Sequence, residues 1–116
     1  MSDDCLFCKM VAGKIPTTKI FENENVLGFV DIYPQAKLHF LFIHKTHSRN
    51  FNELMQSPED AAQILKAIQE FTLKEKLHET GFRIVTNTGV DAGQTVFHTH
   101  FHLLAGEKLA GFGARK

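Results

Sequence analysis

The sequence predicts an α+β fold, with a mainly antiparallel five-stranded sheet and two helices. Three observations carry that expectation. Five short runs have strand character, two runs place apolar residues at helical spacing, and the order of these runs does not follow strict βαβ alternation. No internal repeat, low-complexity tract or Pro/Gly/Ser linker divides the chain, so residues 1–116 read as a single domain.

The first helix follows Asp3 and Asp4, acidic residues placed where a helix N-terminus favours negative charge, and its apolar positions are Leu6, Phe7, Met10 and Val11. Gly13 ends it, with Pro16 just beyond. The runs Thr17–Phe21 and Val26–Ile32, split by the turn-forming Glu-Asn-Glu-Asn segment, read as a hairpin. Pro34 interrupts, and Leu38–His44 resumes as a third strand. Ser57-Pro58-Glu59-Asp60 is a helix start with a cap, a proline at the first position and acids in the first turn. Ile64, Leu65, Ile68 and Phe71 give this second helix one apolar stripe, with Leu77 later and Gly81 as its stop. Phe82–Thr86 is the fourth strand and Thr95–Leu104 the fifth, and the glycine-rich closing stretch 105–116 reads as irregular.

The 116 residues suffice for a hydrophobic core without disulfides, and 43% of them are hydrophobic. Lys plus Arg equals Asp plus Glu at 13 each, and no basic block stands out, which argues against a nucleic acid polymer as partner. A single nucleotide stays open, because backbone N–H groups and neutral side chains can hold one phosphate. No stretch approaches the length of a membrane span. The opening MSDDCLFCKM is acidic and has no long apolar run, which predicts no export leader and a cytoplasmic location.

The most informative stretch is Phe97–Leu104, FHTHFHLL, in which three of the chain's seven histidines fall on alternate positions. On a strand, alternate side chains share one face and stand roughly 6.5–7 Å apart. His98, His100 and His102 would then form a row, with Phe97, Thr99, Phe101 and Leu103 on the other face. Such a row is too long for all three rings to reach one ion at bonds of about 2.0–2.1 Å. One of them can join ligands from elsewhere, which leaves two for chemistry at neutral pH, where imidazole is both nucleophile and proton carrier. The loop before the row, Asn87–Thr95, is small and polar with two glycines, and suits a phosphate cradle. Cys5 and Cys8 form C-x-x-C, whose thiols can chelate one metal from a helical turn. Alone the pair is ambiguous between zinc, a redox couple and two buried thiols. Zinc would need two further ligands, for which histidine is the obvious source.

HTHFHLL resembles the His-φ-His-φ-His-φ-φ signature (φ apolar) of the histidine triad, or HIT, superfamily, with Thr99 departing at the first φ position. LFCKMVAGKIP, FVDIYPQAKLHFLFIHKTH and NTGVDAGQTVFHTHFHLLAG resemble the Hint branch in order and spacing over nearly the whole chain. The resemblance implies a homodimer that binds purine nucleotides and hydrolyses nucleotidyl bonds, often phosphoramidates. It makes His100 the nucleophile, His98 the residue whose carbonyl orients it, and His102 the member at the phosphate that helps to move protons. His39 would support the triad through hydrogen bonds, and Thr95 would meet the leaving-group side. Asn87, Gly93 and Gln94 match the phosphate loop, and Asp31 matches the acceptor for the ribose hydroxyls. Phe7, Ile15, Phe29 and Ile32 would wall the base, with ordinary core packing as the alternative for these four. In zinc-containing relatives two histidines complete the metal set, and the matching ligands here are Cys5, Cys8, His47 and His98, a closed and therefore structural site. A nucleotide-binding or signalling protein with incidental hydrolysis, and a dinucleoside polyphosphate hydrolase, stay open as other outcomes. His44 takes no role from the pattern, His78 reads as a solvated helix residue, and Tyr33 lies where it can alter nucleotide choice.

Overall fold

A computed structural model describes residues 4–112, and Asp3 and the closing 113–116 lie outside the described residues. The fold is α+β, one five-stranded antiparallel sheet with helices, as expected. The elements are α1 (Leu6–Val11), β1 (Lys19–Glu22), β2 (Val26–Val30), β3 (Leu38–His44), α2 (Phe51–Leu54), α3 (Pro58–Lys74), β4 (Arg83–Val85) and β5 (His100–Ala105). The sheet order is β1-β2-β3-β5-β4, and every neighbouring pair runs antiparallel. No helix among the described residues is long and apolar enough to cross a membrane.

Beyond shifts of one or two residues at the ends of β1, β2 and β4, four details differ from the sequence reading. The described residues hold three α-helices rather than two. The extra one, α2, is a single turn capped by Asn50, whose side chain accepts from the Glu53 N–H, and it is too short to show periodicity. The long helix stops at Lys74 instead of running on to Gly81, because Lys76 takes a left-handed conformation with φ of 59° before a turn of 3₁₀ helix at Leu77–Glu79. The fifth strand starts at His100, not Thr95, since the Thr99 N–H leaves the sheet to donate to the Ser48 carbonyl. Phe97 therefore does not share the buried face; it is 36% exposed, with the Arg49 guanidinium 4.8 Å from its ring centre.

The period-two alternation of β3 and β5 separates two environments. Phe40, Phe42, Phe101 and Leu103 face α3, where Ile64, Ile68 and Phe71 meet them in one core; Phe71 packs edge-on to Phe40 and Phe42 at 5.1 and 5.7 Å. Gly28 pairs with Phe42 across β2 and β3, where an added Cβ would stand 2.9 Å from the Phe42 ring, so the ring occupies space that only glycine leaves. The opposite face carries Leu27, Phe29, Leu41 and Ile43, and α1 lays Phe7, Cys5 and Cys8 across it. His100 pairs with Ile43 and His102 with Leu41, so both rings project on this second face. α1 begins at Cys5, whose sulfur accepts from the Cys8 N–H, and ends before Gly13, whose φ of +76° closes the turn.

Candidate active site and adjoining metal-ligand cluster

Burial sets the charge state of the histidines. It holds His98 and His102 down to about 4, His102 being further lowered by the neighbouring His100 and His39 rings. It also lowers His39 and His100, against the opposing pull of Asp31. All four rings are therefore neutral near pH 7, so each carries one N–H and one lone pair, and the hydrogen bonds decide which nitrogen is which.

His98, 1% exposed, donates its Nε2–H to the His44 carbonyl at 2.9 Å. Its Nδ1 is left as a lone pair, and it lies 3.3 Å from the Cys5 sulfur, 3.5 Å from the Cys8 sulfur and 3.2 Å from His47 Nδ1. The Cys8 sulfur is in turn 3.3 Å from His47 Nδ1. A tetrahedral zinc ion, with bonds of about 2.0–2.1 Å to nitrogen and about 2.3 Å to sulfur, has N···N edges of roughly 3.3 Å and N···S edges of roughly 3.6 Å. The four separations above match those edges within a few tenths of an ångström, and all four donor atoms lie within 4.8 Å of one another. Burial, with the Cys5 thiol beside it, pushes the Cys8 thiol up to about 11, and a bound dication would reverse this by taking the thiolate. The donor set also suits zinc in softness, with two sulfurs and two imidazoles.

His100, 8% exposed, donates its Nδ1–H to the His98 carbonyl at 2.8 Å, so Nε2 holds the lone pair of a neutral, oriented imidazole. Phe7 stands edge-on to this ring, 5.2 Å between centres, and to Phe29 at 5.3 Å. The His102 ring is 5.1 Å from that of His100. On its far side, the Gln35 N–H donates to His39 Nδ1 at 2.9 Å, which leaves the His39 proton on Nε2. That proton faces His102 Nδ1 at 2.8 Å and the Asp31 carboxylate at 3.2 Å. His102 therefore accepts at Nδ1 and presents Nε2–H, which has no partner among the described residues.

The remaining predicted residues surround these two groups. Asp31 keeps its other oxygen on the Tyr33 N–H at 2.8 Å. Ile32 follows it and is 80% exposed, while Phe29 is 2% exposed and Ile15 half-buried, so Phe29 is core and Ile32 an uncovered apolar side chain. Gln94 is buried and fully committed within its loop: its carbonyl oxygen accepts from Gly89 N–H, and its amide donates to the Arg49 and Val96 carbonyls. Gly93 has φ of +88°, and Asn87 is half-buried with no hydrogen bond to the histidines among the described residues. Thr95 is exposed and lines a recess of about 430 Å³ with Asp4, Cys5, Leu6, His47, Arg49, Val96 and Phe97. This recess opens on the sulfur–histidine cluster, and its lining includes neither His100 nor His102.

Several supporting residues escape a sequence reading. His44 accepts from the Thr46 N–H at Nδ1 and donates from Nε2 to the Gln63 carbonyl oxygen at 2.7 Å, which hooks the end of β3 to the first turns of α3 and steadies the carbonyl that His98 uses. Nothing local pairs His44 with Gln63. Ser48 and Thr99 hydrogen-bond each other, and there the sequence did carry a signal, a hydroxyl at a position patterned as apolar.

An antiparallel α+β sheet whose fifth strand carries His100 and His102, with His98 just before it and its carbonyl holding His100, defines a histidine-triad protein. Comparison with known proteins agrees. The family model for the HIT domain matches residues 12–109. A HIT-like protein of Helicobacter pylori is 45% identical over 103 residues, covering 89% of this chain and 97% of its own. Among solved structures, a HIT family hydrolase from Clostridium thermocellum superposes with a TM-score of 0.90 at 38% identity, covering 96% of this chain and 97% of its own. A histidine triad nucleotide-binding protein from Candida albicans superposes with a TM-score of 0.83 at 31% identity, covering 97% and 85%. The chain belongs to the HIT family. Cys5 and Cys8 precede the stretch that the family model matches, so the metal-ligand cluster rests on its own geometry.

Proposed function

We propose that this protein is a hydrolase that cleaves purine nucleoside phosphoramidates, or related nucleoside monophosphate conjugates, through a covalent nucleotidyl-histidine intermediate. The observation that carries the reading is the 2.8 Å bond from His100 Nδ1–H to the His98 carbonyl, which leaves the lone pair of a neutral imidazole on Nε2. The hydrolase and nucleotide-binding relatives support the same class.

In this mechanism Nε2 of His100 attacks the α-phosphorus, the bond from phosphorus to the leaving amine breaks, and the amine takes its proton from a water molecule, while neutral His102 holds a phosphate oxygen through its Nε2–H. The His39 N–H, itself beside the Asp31 carboxylate, keeps His102 in that tautomer. The hydroxide left by that water attacks the phosphorus, the P–Nε2 bond breaks, and a nucleoside monophosphate leaves. Asp31 is also the acceptor for the ribose hydroxyls. Ile32 covers the base from the rim and Phe7 backs the nucleophile from within. The loop of Asn87, Gly93 and Gln94 holds the phosphate, with Gln94 acting through the loop's shape, and Thr95 meets the leaving group. Zinc on Cys5, Cys8, His47 and His98 is structural, pinning α1 to the strand that bears the nucleophile. The protein works as a cytoplasmic homodimer.

Rapid quench with a labelled adenosine phosphoramidate, followed by mass spectrometry, tests the central claim. The expected result is an adenylyl adduct on His100 and a fall in turnover of about 10³-fold or more in His100→Ala. Full activity in His100→Ala, or turnover with no adduct on any time scale, would overturn it.

A further inference from the structure

Thr99 sits between the first two triad histidines, at a position whose neighbours Phe101 and Leu103 belong to the apolar core. Its hydroxyl is nevertheless buried, 3% exposed as a residue, and so is Ser48 at 7%. A buried hydroxyl costs free energy unless it is bonded. Here the Thr99 N–H donates to the Ser48 carbonyl at 2.8 Å, the Thr99 hydroxyl donates to the same carbonyl at 3.2 Å, and the Ser48 hydroxyl donates to Thr99 Oγ1 at 2.7 Å. The two residues thus close a small ring of hydrogen bonds across 51 positions of sequence.

The place of that ring is what gives it meaning. Ser48 directly follows His47 and Thr99 directly follows His98, and the facing Nδ1 atoms of these two histidines are 3.2 Å apart. Thr99 also directly precedes His100, whose Nδ1–H is held by the His98 carbonyl. We infer that the Ser48–Thr99 hydroxyl pair positions the metal ligands: it sets the separation of the two backbone segments that carry His47 and His98. Through His98 it also sets the carbonyl that orients His100. Thr99 and Ser48 are positioning residues and touch neither metal nor substrate. The inference rests on the zinc reading of Cys5, Cys8, His47 and His98.

The test is zinc affinity, measured by competition with a chromogenic chelator on protein shown to be folded by circular dichroism, with the absorption spectrum of the cobalt-substituted protein as a second readout. Thr99→Val keeps the shape and removes the hydroxyl; it is expected to weaken zinc binding about 10- to 100-fold and to shift the cobalt bands, the scale typical of groups that orient metal ligands. Thr99→Ser restores the hydroxyl and is expected to bind within about threefold of wild type. Should Thr99→Val fail to fold, the Ser48→Ala/Thr99→Val double variant strands no buried hydroxyl and carries the same comparison. A folded variant without the hydroxyls that binds zinc as wild type does overturns the inference, as does Thr99→Ser binding as weakly as Thr99→Val. Wild-type protein that binds no zinc removes the metal reading itself, and the positioning role falls with it.

Discussion

Asp31, His39 and His102 are gathered as tightly as Cys5, Cys8, His47 and His98; within each set the donor atoms lie within 4.8 Å of one another. Proximity therefore does not tell the two apart, and the hydrogen bonds around them do. In the cysteine set, the His98 proton is spent on the His44 carbonyl, so a nitrogen lone pair faces His47 Nδ1 and two sulfurs with no proton of its own to share. The protonated Cys8 thiol lies within reach of both histidine lone pairs, and a dication would take the place of that proton. In the other set, the Gln35 N–H occupies His39 Nδ1, so His39 must carry its proton on Nε2, pointing at His102 and Asp31. A metal on His39 Nε2 would require a ring with no proton on either nitrogen. The second set holds a proton between its rings, and the first offers the donors that the proposed zinc would take.

Three experiments sharpen or break that contrast. The largest effect belongs to the cysteine set. Removing zinc with a chelator, or replacing Cys8 by Ser, is expected to lower Tm by roughly 12–20 °C. That follows from about 4 kcal/mol of binding free energy when free metal stands a thousandfold above its Kd. Calorimetry with metal analysis reads it, and an unchanged Tm on complete metal removal would break the assignment. Next in size, His39→Leu takes the shared proton from behind His102. Turnover of a nucleoside phosphoramidate is expected to fall about 10²-fold, the lower end for a lost acid–base group, with zinc content unaltered. A variant that loses zinc along with activity would show that the two sets are one unit.

The smallest effect is in pH. His102 is held at about 4 and His39 and His100 are lowered, each chiefly by burial. The rings stay neutral as pH drops through the ordinary histidine range near 6.5, so the acid limb of kcat/KM should fall below that value. Stability moves the other way. Between about 6.5 and 4 the unfolded chain binds protons that folded His102 does not, so the stability present above 6.5 is lost progressively on acidification. A Tm that rises over this interval would contradict the burial of these rings.

Much of this was legible in one dimension. The bounds of β3, Leu38–His44, match the run that resumes after Pro34, and the C-x-x-C spacing placed both thiols on one turn of α1. The start of β5 was not legible, since Thr95–Thr99 has strand-forming residues and leaves the sheet only because Ser48 claims the Thr99 N–H. The single turn of α2 was missed for a different reason. Its cap, Asn50 with Glu53, is local, but four residues are too few for an apolar stripe.

Within β3 and β5 the sequence by itself determined which residues share a face, because the side-chain period of a strand is a local property. It placed His100 and His102 together and set two thiols one turn apart. Only the tertiary structure decided which nitrogen of each ring bears the proton. Those choices rest on partners remote in the chain: the His44 carbonyl for His98 and His39 for His102. A tautomer is set by whatever lies within hydrogen-bonding distance, and no local pattern records that.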